Sequence, residues 1–301
     1  MVFDAFNVLY IADSGNHRVQ QFSPGNMTGK TVAGQSNGTF GLAADRLNSP
    51  NDVAVDSNGN LYVVDSFNHR VQLWLVNATS GITIAGNGQY TINVERIMPY
   101  FNVLSSGSAG NSSTQLKEPG GIALDLSNNR FFISDVQNHR VMSYTLNSTV
   151  GTLVAGGNGP GNNNTQLYLP GGLYFDSSTD SLVIANYGEH NIVRWVLGAS
   201  NWTLVAGSST GSFGTGSALL RFPMDVTFDS IGNIYVADRA NHRIQFFLAG
   251  RLNASTIAGE TAQSGNSSTR LNRPLSLALD SQLNLYVADT FNNRIQKYSR
   301  Y

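Results

Sequence analysis

Histidine, acid and arginine recur together in this sequence at a spacing that could serve metal binding or acid–base chemistry. The five histidines are His17, His69, His139, His190 and His242. Each lies four residues after an aspartate or asparagine, as in Asp65 and His69, and imidazole beside carboxylate is a common catalytic or metal-binding combination. Because the motif occurs once per repeated unit, however, its copies are spread along the fold and cannot converge on one ligand. We therefore predict structural roles for all five histidines.

An aspartate and an arginine five residues apart form a second recurrent combination. The fourth copy has Asn186 and Asn191 instead, so both charges are absent together. A buried ion pair predicts this, because removing one partner alone costs ~3–5 kcal/mol. We predict five structural ion pairs: Asp13 with Arg18, Asp65 with Arg70, Asp135 with Arg140, Asp238 with Arg243, and Asp289 with Arg294.

The spacing of this motif defines a repeated unit. Its first residue lies at positions 13, 65, 135, 186, 238 and 289, so the unit recurs about every 51 residues with one longer step. Each unit contains four short runs rich in β-branched and aromatic residues, separated by Asn-Gly and Ser-Gly turn signals. Six such units predict an all-β fold, a six-bladed β-propeller of four-stranded antiparallel blades. The last blade lacks its outer strand, and the single domain of residues 1–301 has an inserted loop at about 88–112.

The repeated sequence motifs resemble the NHL repeat. The pattern is Pro-x-x-(Val/Ile/Leu), then an apolar residue with Tyr-Val-Ala-Asp, then Asn-His-Arg-(Val/Ile)-Gln, and it occurs at least in part six times. The resemblance implies a six-bladed propeller. It leaves function open, because some NHL domains bind proteins or RNA, and some relatives are lyases or hydrolases with a metal in the central channel. A three-histidine metal site like that of the amidating lyases is not expected, since every histidine belongs to the repeat.

Four aspartates, Asp45, Asp52, Asp180 and Asp225, lie outside the repeated pattern, and two of them share a position. Asp52 and Asp225 each lie two residues after a proline, where other units have Gly121, Gly172 and Ser276. The second and fifth blades of six stand opposite each other, so the two carboxylates could face each other at the channel mouth and bind Ca²⁺. Hydrated or turn-bonded aspartates are the alternative. No third acid or base is evident to complete an active site, so we predict no catalytic residue.

The composition argues against several classes of partner. Charged residues make up 12% of the chain and the net charge is −1, so we predict no nucleic-acid binding, which needs a concentrated basic face. No apolar run approaches the ~20 residues that span a bilayer, and we predict no membrane span. The chain has no cysteine, which removes disulfides and thiolate metal sites. It also opens without a signal peptide, as expected for a mature or trimmed chain.

Nine Asn-x-Ser/Thr sequons recur in the links between strands. Five lie between the third and fourth strands of a unit, and four lie between units. We predict covalent N-glycans on several of them and therefore an extracellular, secreted protein. The alternative is that Asn, Ser and Thr are turn-forming residues in duplicated loops. The acceptors are Asn26, Asn37, Asn77, Asn111, Asn147, Asn163, Asn201, Asn253 and Asn266.

The inserted loop and the incomplete last blade predict contacts with protein. Residues 90–104 include Ile97, Met98, Tyr100 and Phe101, which are too apolar for a loop that makes no packing contacts. We expect them to pack on their own propeller or to contact a partner. An open sheet edge is a template for strand addition, so a homo-oligomer or a fibre is a further expectation.

These features predict a non-enzymatic extracellular glycoprotein that acts as a structural or adhesive module, requires no cofactor, and binds itself or other proteins. Two alternatives stay open. One is a ligand- or protein-binding receptor module that uses the loops around the channel mouth. The other is a metal-dependent lyase or hydrolase in the central channel.

Overall fold

The computed structural model describes residues 1–86, 109–146 and 148–300. The sequon at Asn147 and the expected contact residues Ile97, Met98, Tyr100 and Phe101 lie outside this part of the chain. Within it, 23 strands form six antiparallel sheets, five with four strands and the last with three. The structure thus confirms the all-β, six-bladed propeller and the three-stranded last blade.

Strands follow one another in order within each blade, and each blade is one antiparallel meander. Blade one contains β1 (Val2–Phe3), β2 (Leu9–Asp13), β3 (Arg18–Phe22) and β4 (Lys30–Gly34). Blade two contains β5 (Pro50–Val55), β6 (Leu61–Asp65), β7 (Arg70–Trp74) and β8 (Ile82–Ala85). Blade three contains β9 (Pro119–Asp125), β10 (Arg130–Asp135), β11 (Arg140–Thr145) and β12 (Thr152–Gly156). Blade four contains β13 (Pro170–Asp176), β14 (Ser181–Asn186), β15 (Asn191–Val196) and β16 (Thr203–Gly207). Blade five contains β17 (Pro223–Phe228), β18 (Ile234–Asp238), β19 (Arg243–Phe247) and β20 (Ala254–Gly259). Blade six contains β21 (Ser276–Leu279), β22 (Leu285–Asp289) and β23 (Arg294–Tyr298).

The motif that carries the histidines folds as a short 3-10 turn between the second and third strands of each blade. In the second blade this turn is Ser66–Asn68, and it brings Asp65 and Arg70 directly opposite each other across β6 and β7. The histidine itself has a left-handed backbone, with φ between +53° and +58° in the five copies. Asparagine adopts this conformation readily, which explains why Asn293 can replace histidine in the sixth blade.

Each link between two blades inserts one leucine into the space between the sheets. All five leucines are fully buried, and each belongs to the apolar cluster that joins its two blades. They share a Leu-x-x-Pro pattern, in which the proline lies at or beside the start of the innermost strand. They are Leu47, Leu116, Leu167, Leu220 and Leu271.

The junction of blades six and one is packed differently. In the part of the chain that the structure describes, its cluster contains three buried residues, Met1, Leu9 and Ala278, and no link leucine. The half-buried Phe22 and Ile295 face this cluster from the two blades. The ring is therefore less tightly packed at this junction than at the other five.

Candidate protein-binding site

The five Asp–Arg pairs form in the structure, with Nε–Oδ2 distances of 2.7–2.9 Å. The aspartate side chain is fully buried in four of the five blades. In each of these, the arginine also donates to carbonyls of the link that enters its blade. Arg70, for example, donates from Nη1 to the carbonyl of Leu42 at 2.8 Å and from Nη2 to that of Arg46 at 3.1 Å. The pair therefore ties a blade to its entering link.

Blade four has a neutral pair that contacts both neighbouring links, the entering link through Asn186 and the leaving link through Asn191. Asn186 Nδ2 donates to Asn191 Oδ1 at 3.0 Å, and Asn191 Nδ2 donates to the carbonyl of Ser208 at 2.8 Å. Asn186 Oδ1 accepts the backbone N–H of Tyr168 at 2.8 Å, as Asp65 Oδ1 accepts that of Asn48 in blade two. The joint loss of both charges in the sequence thus corresponds to a neutral hydrogen-bonded pair.

Each histidine accepts a hydrogen bond from the link that leaves its blade. The Nδ1 atom of His69, for example, accepts the backbone N–H of Glu118 at 3.0 Å, and the four other copies make the equivalent bond at 3.0–3.2 Å. Burial lowers the pKa of His69 to about 4, with a smaller contribution from the charge of Lys117. The neutral imidazole is the form that can accept this bond.

Asp52 and Asp225 line one cavity in the centre of the ring, and each binds the backbone of the next blade. Asp52 Oδ2 accepts the N–H of Ile122 at 3.1 Å, and Asp225 Oδ2 accepts that of Leu277 at 3.1 Å. Burial and the nearby charge of Asp52 raise the pKa of Asp225 to about 6. The two aspartates thus join blades two to three and five to six, and Ca²⁺ binding between them stays a prediction.

The neighbouring glycines show why this position is not acidic in every blade. A Cβ atom at Gly121 would lie 2.7 Å from the carbonyl oxygen of Gly171 and 2.9 Å from Gly172 Cα. Blades three and four therefore approach each other too closely for a side chain. Among the described residues, no group of three or more His, Asp or Glu side chains is arranged to hold a metal ion.

The first blade presents its ion pair to solvent. Asp13 and Arg18 have side-chain exposures of 27% and 25%. Arg18 Nη1 donates to the carbonyl of Ser36 at 2.9 Å, and Asp13 Oδ1 accepts from Asn16 Nδ2 at 2.9 Å. Within the described residues, neither makes the contacts with an entering link that bury the equivalent pairs. The groups that bind an entering link in the other blades are thus partly accessible in this one.

A cleft between blades six and one leads from this pair to the centre of the ring. The cleft and the central cavity form one space of about 880 Å³. Ile11, Gln20 and Phe22 line it from blade one, and Ala288 and Ile295 line it from blade six. The amide oxygen of Gln20 is buried here and has no hydrogen-bond partner among the described residues. The cleft therefore combines apolar walls with free polar groups.

The structure exposes every sequon acceptor that it describes. Asn26, Asn37, Asn77, Asn111, Asn163, Asn201, Asn253 and Asn266 are all exposed. The side-chain oxygens of Asn26 and Asn37 also accept the N–H of the residue two positions on, at 2.8 and 3.0 Å, which is turn chemistry. The geometry is compatible with glycans and with the turn alternative, and occupancy stays a prediction.

Similarity to known proteins defines the class of this chain. The family model described as "NHL repeat" matches residues 47–73, 220–247 and 271–298. The chain is 26% identical over 96% of its length to SUPPRESSOR OF QUENCHING 1, a chloroplast protein of Arabidopsis thaliana, and covers 24% of that protein. It is also 26% identical over 96% of its length to human NHL repeat-containing protein 2, of which it covers 44%. The chain thus spans less than half the length of these relatives.

Among solved structures, the fold resembles an auxiliary nutrient binding protein from Bacteroides ovatus. The TM-score is 0.66 at 16% identity, and the alignment covers 98% of this chain and 67% of that one. This likeness concerns the fold alone. Repeats and propeller together define the class, a six-bladed β-propeller that contains NHL repeats. No helix among the described residues has the length and apolar character needed to cross a membrane.

Proposed function

We propose that this propeller is a non-enzymatic protein-binding module that receives an extended protein segment at the cleft between blades six and one. The observation that carries the proposal is the exposure of the Asp13 side chain, 27%. In blades two, three, five and six, the equivalent aspartate accepts a backbone N–H of the entering link and its side chain is fully buried. The same groups in blade one have the chemistry for the same contact.

The edge of blade six offers the second half of the site. Among the described residues, β23 pairs with β22 on one side only, so its outer edge presents backbone donors and acceptors to an added strand. In the complete blades a fourth strand occupies this position and continues into the Leu-x-x-Pro link. A partner segment would follow the same course, from the edge of β23 into the cleft.

The internal copies indicate the sequence of this segment. Its leucine would occupy the apolar space beside Phe22 and Ile295. The N–H of the next residue would donate to Asp13 Oδ1, as that of Asn272 donates to Asp289 at 2.6 Å. Carbonyls before the leucine would accept from Arg18, as those of Ser267 and Arg270 accept from Arg294. The partner is therefore a strand followed by Leu-x-x-Pro.

The setting of this module is part of the proposal. The exposed sequons support an N-glycosylated, extracellular protein with a structural or adhesive role. If a second copy supplies the segment, the same contact forms a homo-oligomer or a fibre. The receptor module that uses the channel-mouth loops and the lyase or hydrolase with channel Ca²⁺ remain alternatives. For the last of these, Asp52 and Asp225 would be the ligands, although both carboxylates already bind backbone N–H groups.

Titration with a synthetic peptide tests the proposal. The peptide has the sequence of residues 254–275, which contains the strand Ala254–Gly259 and the link leucine Leu271. Calorimetry should give saturable one-to-one binding with a dissociation constant of about micromolar order. A peptide with Leu271→Ala should bind at least about tenfold more weakly, because a buried leucine contributes ~1.5–3 kcal/mol.

Matched protein variants locate the binding. Arg18→Gln should weaken binding about tenfold or more, because it removes charge-assisted bonds to peptide carbonyls. Arg46→Gln is the control, since the Arg46 side chain is exposed in the link into blade two. Equal loss in both variants, or no binding of the unmodified peptide to the unmodified protein, would contradict the proposal.

A further inference from the structure

A second cavity, of about 310 Å³, lies on the face of the ring that carries the blade links and the 3-10 turns. It is formed where blades four, five and six meet. The residues that matter in its wall are Tyr187, Arg221, Phe222, Arg239, His242 and Arg273. Three arginines thus border one small pocket in a chain whose net charge is −1.

The charges of these arginines are not neutralised by the protein. Arg221, Arg239 and Arg273 form no ion pair within the described residues, and no described carboxylate lines the pocket. The Nε atom of Arg239 is buried and has no hydrogen-bond partner in this part of the chain. An unpaired buried donor on a cation is costly to leave without a partner, which indicates that an anion belongs here.

Aromatic rings hold the guanidinium groups in place. The Cζ atom of Arg239 lies 5.9 Å from the ring centres of both Tyr187 and Phe291, and that of Arg273 lies 5.1 Å from Phe291. Arg239 Nη1 also donates to Tyr187 Oη at 3.2 Å. Stacking uses the faces of the guanidinium groups and leaves N–H edges for a ligand. The Tyr187 and Phe222 rings, with centres 4.9 Å apart and planes tilted by 36°, add an aromatic wall.

The repeat itself does not require these residues. Positions equivalent to Arg239 hold Ser14, Ser66, Val136, Tyr187 and Thr290, and those equivalent to Arg273 hold Ser49, Glu118, Leu169 and Phe222. At the latter position only the backbone N–H is used, as donor to a histidine. Because the fold tolerates uncharged residues at both positions, the arginines of blades five and six have a role beyond folding.

Two further observations support an accessible, positively charged site. Burial, and then the charges of Arg273, Arg239 and Arg221, lower the pKa of His242. In addition, the link that contains Arg221 and Phe222, residues 208–222, is the one link between blades without a sequon. Any glycans on the other links would therefore leave this side of the pocket open.

We propose that this pocket binds a small organic carboxylate whose body is flat and apolar. The arginine edges would bind the carboxylate, because planar N–H pairs match its two oxygens. The Tyr187 and Phe222 rings would pack against the body of the ligand. This site is independent of the cleft between blades six and one, so either proposal can fail without the other.

Sodium benzoate is the probe, with benzamide as its neutral counterpart and inorganic phosphate as the competing oxyanion. In NMR titrations of the ¹⁵N-labelled protein, benzoate should shift the Nε–H resonance of Arg239 saturably, and benzamide should not. Tighter binding of phosphate than of benzoate would overturn the assignment to a carboxylate. Failure of benzoate to shift this resonance at millimolar concentrations would overturn the site.

Two variants and a control separate binding from folding. Arg239→Gln should weaken benzoate binding at least about tenfold, the expected effect of losing one charge-assisted contact. Arg273→Gln should weaken it to a similar extent, and it replaces Arg239→Gln in the test if that variant does not fold. Arg251→Gln, on the exposed turn after β19 of the same blade, should leave the affinity unchanged. A similar loss in the Arg251 variant would contradict the site, provided all variants keep the same melting temperature.

Discussion

At the scale of single residues, Asp65 and Arg70 show what the repeated polar pair contributes to this fold. The carboxylate is fully buried, and the guanidinium group binds it at 2.7 Å together with carbonyls of the entering link. Removing either partner leaves the other buried and unpaired, whereas removing both leaves a neutral site like that of blade four.

The single substitution should therefore destabilise the protein more than the double substitution does. Arg70→Ala should lower the free energy of unfolding by ~3–5 kcal/mol, and the double variant Asp65→Asn with Arg70→Asn should lose less, because Asn186 and Asn191 form such a pair. Arg18→Ala, at the exposed pair, should cost at most about 1 kcal/mol. Urea denaturation of the three variants measures this, and a double variant that is less stable than Arg70→Ala contradicts the pairing.

The histidines make stability depend on pH. The folded-state pKa of His69 is about 4, below the value of about 6.5 in an unfolded chain. The unfolded state thus binds the proton more tightly, so stability present above pH 6.5 is lost as pH falls toward 4. From pH 7 to pH 5, His69 should cost about 2 kcal/mol of unfolding free energy.

His69→Asn is the matched variant for this effect, because Asn293 occupies the same position in blade six with the same left-handed backbone. Urea denaturation at pH 7 and pH 5 should show a smaller loss on acidification in the variant than in the unmodified protein. Equal losses of unfolding free energy in the two proteins would show that protonation of His69 does not cause the loss of stability between pH 7 and pH 5.

At the scale of elements, the link between blades is the unit that holds the ring together. Leu167→Ala should lower the unfolding free energy by ~2–5 kcal/mol, since it leaves a cavity where a fully buried side chain stood. Leu153→Ala, at a position 48% exposed on β12, should cost less than about 0.5 kcal/mol. Thermal or urea denaturation compares the two, and similar losses would contradict the role of the link leucine.

The sequence predicts the blades well because the strand pattern and turn residues repeat six times, and each copy supports the same assignment. It also identifies Asp65 with Arg70 as a pair, since both charges disappear together in one blade. It does not show that Asp13 and Arg18 are exposed, because that depends on which link packs over them. The sequence does not predict the Arg239 pocket, because the residues of this pocket come from three blades and share no motif.

The interpretation of Asp52 and Asp225 shows a similar limit. Their departure from the repeat indicates that they are unusual, and their position at the channel follows from the blade order. Their hydrogen bonds to Ile122 and Leu277 depend on how closely neighbouring blades approach. Sequence spacing does not contain this information.

At the scale of the whole molecule, N-glycosylation is a prediction that the mass of the secreted protein tests. Protein secreted from eukaryotic cells should lose mass when treated with an N-glycosidase, and the released sites should be deamidated sequon asparagines such as Asn77 and Asn201. Asn16, exposed but outside any sequon, is the internal control. A secreted protein with the unmodified mass would favour the turn-forming role of these residues.

The most direct test of the proposed function is hydrogen–deuterium exchange with and without the peptide of residues 254–275. If the cleft between blades six and one binds an extended segment, amides of Arg294–Tyr298 and of the Asp13–Arg18 turn should exchange more slowly in the complex. The other blades should change little, because their third strands already pair with a fourth strand and their links are already bound. Protection confined to another region, or none at saturating peptide, would contradict the account.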